Sequence, residues 1–238
     1  MAFNQGVKAT TAAASSLASA ATNFSGSNFL ASIIVVPASN TVSSFVDSSS
    51  NTWVAHPSTT PQTITGTNAR AYCYTVTNPT VSASQTFTAN FASADIAFLA
   101  VIGLSGRATA SAIDASGYTS ESTGVTNHTG GATASQSVTG DDIIALFWDD
   151  EGVSGGRSLT YTAGSGFTLP GSISNADGRF FMTGGIEYQE NVGTTGVTTT
   201  WTSSSANIGA GYILAVKAAA GSSAFARLPY PNYVRHFI

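Results

Sequence analysis

Runs of roughly five to ten β-branched, aromatic and small apolar residues recur along the whole chain, each bounded by Gly, Asn, Ser or Pro, and helical periodicity is nearly absent. Such a chain folds into sheets. Three runs alternate: Tyr72, Tyr74 and Val76 share one face of Arg70 to Val76, Phe87, Ala89 and Phe91 one face of Gln85 to Phe91, and Val197, Thr199 and Trp201 one face of Thr195 to Trp201. Strand side chains point alternately to opposite faces, so these predict half-buried antiparallel strands. Phe29 to Val36, Ile96 to Leu104, Ile143 to Trp148 and Tyr212 to Val216 are apolar on both faces, as central strands are. With further runs near Val42 to Val46, Trp53 to Ala55, Leu159 to Thr162 and Phe180 to Tyr188, about a dozen strands result, which two facing sheets accommodate better than one. The expected fold is all-β, a jelly-roll-like antiparallel β-sandwich with an extended C-terminal arm.

The chain has 238 residues, 42% hydrophobic and only 8% charged, which suits one large domain. That domain is expected over 1–217, with 1–15 as an extended N-terminal segment and 218–238 as linker and arm. A net charge of -4 disfavours binding to a phosphate backbone, so no nucleic acid is expected as partner. Thirty-three Ser and 32 Thr supply most of the polar surface instead. The single cysteine, Cys73, cannot form an internal disulfide, and its strand-like surroundings predict a buried apolar side chain. No secretory signal is legible, and the apolar runs fall short of the ~20 residues of a membrane-crossing helix. A soluble protein without a membrane partner is expected. Asn23-Phe24-Ser25 and Asn127-His128-Thr129 match the glycosylation pattern but read as ordinary turn residues.

Two segments break the strand rhythm. Ser105 to Gly131 is rich in Gly, Ser and Thr, lacks an apolar pattern and reads as a long functional loop. After Lys217, Ala218 to Ala224 reads as a flexible linker, followed by Phe225 to Ile238. This last stretch is too apolar for a solvated tail, and Arg227, Arg235 and His236 make it basic against an acidic body. Pro229 and Pro231 keep it extended. It reads as a docking arm whose partner-binding residues are Phe225, Arg227, Leu228, Tyr230, Tyr233, Arg235, Phe237 and Ile238.

Signs of catalysis are weak. Gly103-Leu104-Ser105-Gly106-Arg107 lacks the second glycine of a nucleophile elbow, and no phosphate-binding glycine turn is found. His56, His128 and His236 are far apart in sequence and form no metal-binding pattern, so each reads as a loop or surface residue. Asp141 and Asp142 precede the strand Ile143 to Trp148, while Asp149, Asp150 and Glu151 follow it. At ~3.3 Å per residue the two groups lie roughly 20 Å apart and cannot serve one ion or one acid/base pair. Asp149-Asp150-Glu151-Gly152 could hold calcium locally, but without alternating ligands it reads as a solvated turn. No catalytic residue, metal ligand or cofactor is expected, and the protein is expected not to be an enzyme. Trp53, Trp148 and Trp201 are candidate sugar-stacking platforms, although their strand positions favour the core.

Val46-Asp47-Ser48-Ser49-Ser50-Asn51-Thr52-Trp53, the Tyr72-Cys73-Tyr74 strand, Phe98 to Gly106, Ala112-Ile113-Asp114-Ala115-Ser116 and Gly211 to Lys217 together resemble the β-sandwich domains of bacteriophage virion proteins and bacterial surface proteins. The resemblance spans about 15–217 and rests on strand-and-turn signatures, so it implies fold more than function. Asp47 and Asn51 bracket a turn, where their side chains bond the local backbone. The resemblance implies a non-enzymatic viral structural protein, a capsid decoration or head/tail component, located in the virion and made in the host cytoplasm. It further implies other virion proteins (a major capsid or tail component) as partners, and a homo-oligomer, a trimer among the symmetric options. The alternative is a carbohydrate-binding module for host or cell-surface attachment, using Ser105 to Gly131 and an exposed tryptophan.

Overall fold

A computed structural model describes residues 3–56, 61–63, 69–150, 159–175 and 182–220. They form fourteen strands: β1 (Phe3–Ala18), β2 (Phe29–Pro37), β3 (Val42–Asp47), β4 (Val54–Ala55), β5 (Gln62–Thr63), β6 (Ala69–Thr77), β7 (Phe87–Leu104), β8 (Ile113–Ser120), β9 (Val125–Ala132), β10 (Asp141–Asp150), β11 (Tyr161–Ala163), β12 (Ser174–Asn175), β13 (Met182–Val192) and β14 (Thr198–Val216). The expected antiparallel all-β sandwich is what forms. Each sheet is drawn from one contiguous half of the chain. The first runs β1-β7-β2-β6-β4, with β3 added to β7 and β5 to β6. The second repeats that plan: β14, flanked by β8 and β9 on one side and β10 on the other, leads through β13 to β12, with β11 added to β14.

The register makes the correspondence residue by residue. Leu104 closes β7 opposite Phe3 and Phe29, and Val216 closes β14 opposite Ile113 and Asp142. Counting back from those pairs, Ser93-Ala94-Asp95-Ile96 in β7 falls on Ser205-Ala206-Asn207-Ile208 in β14. The described residues repeat one strand pattern, with β8 and β9 in the place of β1, β10 of β2, β11 of β3, β13 of β6 and β14 of β7.

One apolar cluster joins the two sheets. Ile33, Phe98, Ile102 and Leu104 of the first sheet belong to it with Leu146, Trp148, Tyr212 and Leu214 of the second. Burial of each such side chain contributes ~1.5–3 kcal/mol, so this shared face outweighs any surface term. The outer face of the first sheet is covered too. Leu17, Phe45, Phe87 and Phe91 share a second cluster with Leu30, Ile34, Leu99 and Val101, so the first half of β7, with β3 and the end of β1, bends back over its own sheet. Register shifts in β1 between Thr11 and Ser16 supply the bend.

One segment departs from the sequence expectation. Ser105 to Gly131 is not one long loop, because it contains β8 and β9. Its glycines serve close packing. A Cβ on Gly117 would lie 1.9 Å from the Ala132 carbonyl oxygen, and one on Gly131 would lie 2.4 Å from that of Gly117, so no other residue fits where β9 passes β8. The N-terminal segment, in turn, is a full edge strand on β7. The stretches expected as separate strands, Gln85 to Phe91 with Ile96 to Leu104 and Thr195 to Trp201 with Tyr212 to Val216, fall on two long bent strands.

Gly117→Ala is therefore expected to lose roughly 3 kcal/mol or more of stability. Gly193→Ala, whose added Cβ would meet nothing within 4 Å, should stay within about 0.5 kcal/mol of the parent. Urea unfolding of the two variants beside the parent measures the difference.

Candidate functional site

The first part of β14 bends over the second sheet as β7 does over the first, but what it covers is polar. Trp201 stacks on Phe147 at 4.9 Å and on the imidazole of His128 at 5.0 Å. His128, in β9 directly opposite Trp201, is 1% exposed. Its Nδ1 lies 2.7 Å from Oε2 of Glu121 and its Nε2 lies 2.9 Å from Oγ of Ser203. Glu121 also accepts the backbone N–H groups of Thr129 at 3.0 Å and Gly209 at 3.1 Å, tying the β8–β9 connection to β14. Ser203 Oγ lies within donating distance of the Ser205 carbonyl, 2.8 Å, and of Asn207 Oδ1, 3.1 Å.

A hydroxyl has one hydrogen to give. With that hydrogen directed at Ser205 or Asn207, Ser203 accepts from Nε2 and the imidazole donates from both nitrogens. Burial acts to lower the His128 pKa, but the Glu121 hydrogen bond, the charges of Asp149 and Glu121 and the Asn207 side chain outweigh it and hold the ring above its usual range.

Two carboxyl groups complete this interior. Asp149, near the end of β10, is fully buried, and burial pushes its pKa up to about 6, against the pull of His128, Tyr161, Asn207 and Trp201. Neither of its oxygens has a partner in full hydrogen-bond geometry among the described residues, and neither do the donors Trp201 Nε1 and Asn207 Nδ2. Glu187, in β13, accepts the Thr199 hydroxyl at 2.5 Å and the Gly164 N–H at 3.0 Å, yet burial still pushes it up to about 7.

Glu121, His128 and Ser203 are the residue types of an acid–base–nucleophile relay, and their spacing suits one. Ser203 nevertheless is 3% exposed. A Cβ on Gly209 would come within 2.7 Å of both Asp149 Oδ1 and His128 Nδ1, so the backbone of β14 packs directly against the carboxyl and the imidazole. The arrangement does the work of a buried polar clamp.

The other end of β10 carries a second cluster. Arg107 Nη1 stands 3.2 Å from Asp142 Oδ2 and donates to the Gly140 carbonyl at 3.1 Å, while its Nε donates to that of Ser105 at 3.2 Å. Burial raises Asp142 to about 6, against the Asn191 N–H and Arg107, and burial with the Asp114 carboxyl raises Asp141 likewise to about 6. Asp114 accepts the Ser137 hydroxyl at 2.6 Å and faces Lys217 Nζ at 3.5 Å. Arg107 bridges to Ala218, and Ala219 N–H donates to the Gly106 carbonyl at 2.9 Å, so this cluster ties down the stretch that follows β14.

The two acidic groups flanking β10 are held apart at opposite ends of the strand, as its length requires. Three expectations fail. Asn127-His128-Thr129 is not a turn, because it lies within β9. His128 lies in the interior, because β9 turns it toward Trp201, and Asp149 is buried, because β10 continues through it to Asp150. Asp47 accepts from Ser49 and Asn51 as expected of a turn, and also from Trp53 Nε1 at 2.6 Å. Trp148 and Trp201 are buried and Trp53 is half-buried against Phe45 and Phe87, so none is an open platform. Cys73 is buried, which pushes its thiol pKa up. His56 is half-buried beside Tyr212, and burial lowers its pKa. Glu151, His236 and the expected docking residues Phe225, Arg227, Leu228, Tyr230, Tyr233, Arg235, Phe237 and Ile238 lie outside the described residues. Among the described residues no group of three or more His, Cys, Asp or Glu side chains is placed to hold a metal ion. No family model matches the chain, and no curated protein matches it.

Glu121→Ala leaves the His128 ring and two backbone N–H groups without their acceptor and should lose roughly 3 kcal/mol. The melting temperature should fall by about 6–12 °C. Calorimetry on the variant checks this; an unchanged melting temperature would contradict the clamp.

Proposed function

We propose that the chain is a non-enzymatic structural protein of a bacteriophage particle, a capsid decoration or head/tail assembly component whose segment Phe225–Ile238 engages a neighbouring virion protein. The observation that carries the reading is the sealed state of the relay-like group. Ser203 offers no exposed hydroxyl. A neutral Ser/Thr surface over two packed repeats suits a scaffold, and the anchoring of Ala218 and Ala219 on Arg107 and Gly106 gives the arm a fixed root. Burial of Trp148 and Trp201 weighs against the sugar-binding alternative.

Two measurements test this. A serine-directed fluorophosphonate should leave the folded chain unlabelled, and labelling that disappears in Ser203→Ala would overturn the non-enzymatic reading. Light scattering should find the full chain oligomeric and a version ending at Ala220 monomeric, with circular dichroism confirming that both fold. Two identical folded monomers would remove self-assembly through the arm.

A further inference from the structure

Register assigns five groups of the polar interior counterparts in the first repeat, while Asn207 falls on Asp95. His128 faces Trp201 as Leu17 faces Ala89, and Asp149 stands one residue beyond Trp148 as Val36 stands one beyond Val35. Glu187 pairs with Ala145 as Tyr74 pairs with Ser32. Counting back along the two long strands, Thr199 and Ser203 take the places of Phe87 and Phe91. Leu17, Val36, Phe87 and Phe91 are buried and belong to one apolar cluster, against which half-buried Tyr74 packs. Two copies of one fold thus enclose opposite chemistry. The first holds its bent layer down chiefly by apolar contact, with the carboxyl of Asp47 at the end of β3 held by Ser49, Asn51 and Trp53. The second holds the equivalent layer down over carboxyl groups whose ionised forms lose their hydration when it closes.

We propose that the second repeat is a proton-operated latch: the layer formed by β9, β11 and the first part of β14 stays seated while the enclosed carboxyl groups hold protons and lifts from β10 and β13 as they ionise, while the equivalent layer of the first repeat stays shut. This does not depend on the particle reading above.

The groups that face one another come from every element around the interior. His128 on β9 meets Glu121 from the β8–β9 connection, Asp149 from β10, and Trp201, Ser203 and Asn207 from β14. Tyr161 on β11 reaches Asp149 and packs edge-on against Phe147. Glu187 on β13 meets Thr199 of β14 and the N–H of Gly164 beyond β11.

All three shifts have one sign. Asp149 rises from 3.8 to about 6 and Glu187 from 4.5 to about 7, so between the ordinary and raised values the closed layer binds protons that the open one does not. His128 is raised too. Stability of closure is fully present below the ordinary carboxyl range and is lost as pH rises through 6 and 7. Opening therefore grows with pH.

Hydrogen exchange on the full chain at pH 5 and pH 8, corrected for the intrinsic exchange rate, reads opening strand by strand. The opening equilibrium of β9 and β11 should be at least about tenfold larger at pH 8, while β3 and Phe87–Phe91 in the first repeat should change less than about twofold. Asp149→Asn with Glu187→Gln keeps the shapes and removes the charges, and should flatten the response of β9 and β11. Should that double variant not fold, fluorescence in a Trp53→Phe background, where Trp201 emits beside a Trp148 held in the shared core, provides a second readout, expected to shift between pH 5 and pH 8. An equal response of both repeats, no response in β9 and β11, or a full response surviving in the folded double variant would each overturn the latch.

Discussion

Neither sheet closes without the other. The inner faces that meet through Ile33, Phe98 and Ile102 on one side and Leu146, Trp148 and Tyr212 on the other would, in a separated half, be a broad apolar surface in water. Every further feature is arranged around that contact. The stretches Phe29–Val36 of β2, Phe98–Leu104 of β7, Ile143–Trp148 of β10 and Tyr212–Val216 of β14 are buried on both faces because one face packs across this shared core and the other beneath a bent layer of the same repeat. This is why their sequences are apolar throughout, whereas β6 alternates larger and smaller side chains between the two faces.

The bent layers ask different things of the two halves. In the first, large side chains fill the gap: Phe45 and Trp53 pack at 4.6 Å, and Phe24 and Phe87 at 5.0 Å. In the second, glycine lets backbones approach. Gly130 and Gly211 lie beneath the edge of Trp201, and Gly117 and Gly131 let β8 and β9 pass. Small residues below and a flat indole above leave the polar side chains little room for water. That exclusion is what shifts Asp149 and Glu187 so far from ordinary carboxyl behaviour.

Much of the sandwich was legible because burial writes itself into alternation. Tyr72, Cys73 and Tyr74 lie on the faces their spacing requires, and Asp47 with Asn51 forms the turn their side chains favour. The misreadings have a common cause. Gly, Ser and Thr between Ser105 and Gly131 resemble a loop when read locally, yet the same small residues are what close strand packing demands. Small, polar stretches at Ala92 to Asp95 and Ser203 to Asn207 look like breaks, but they are the bends of two long strands. The polar interior was hidden for a deeper reason. A single histidine or aspartate reads as surface until its counterpart is known, and the signal that exposes Leu17 and Val36 as those counterparts is the repeated Ser-Ala-Asp-Ile and Ser-Ala-Asn-Ile, 112 positions apart.

β10 and β14 carry both ends of the second repeat's chemistry. They pair without a register shift from Asp142–Val216 to Asp150–Ile208, with Arg107 and Asp142 at one end and Asp149 at the other. A layer lifting from Asp149 exposes the outer face of this pair and leaves its inner face in the shared core, where Leu146, Trp148, Tyr212 and Leu214 are fully or almost fully buried. The ladder therefore holds while the layer moves. The root of the C-terminal segment is gripped by Arg107 beyond the far end of that ladder. Two strands anchored in an apolar core thus separate a proton-sensitive surface at one end from a fixed attachment point at the other, and a change at the first need not loosen the second.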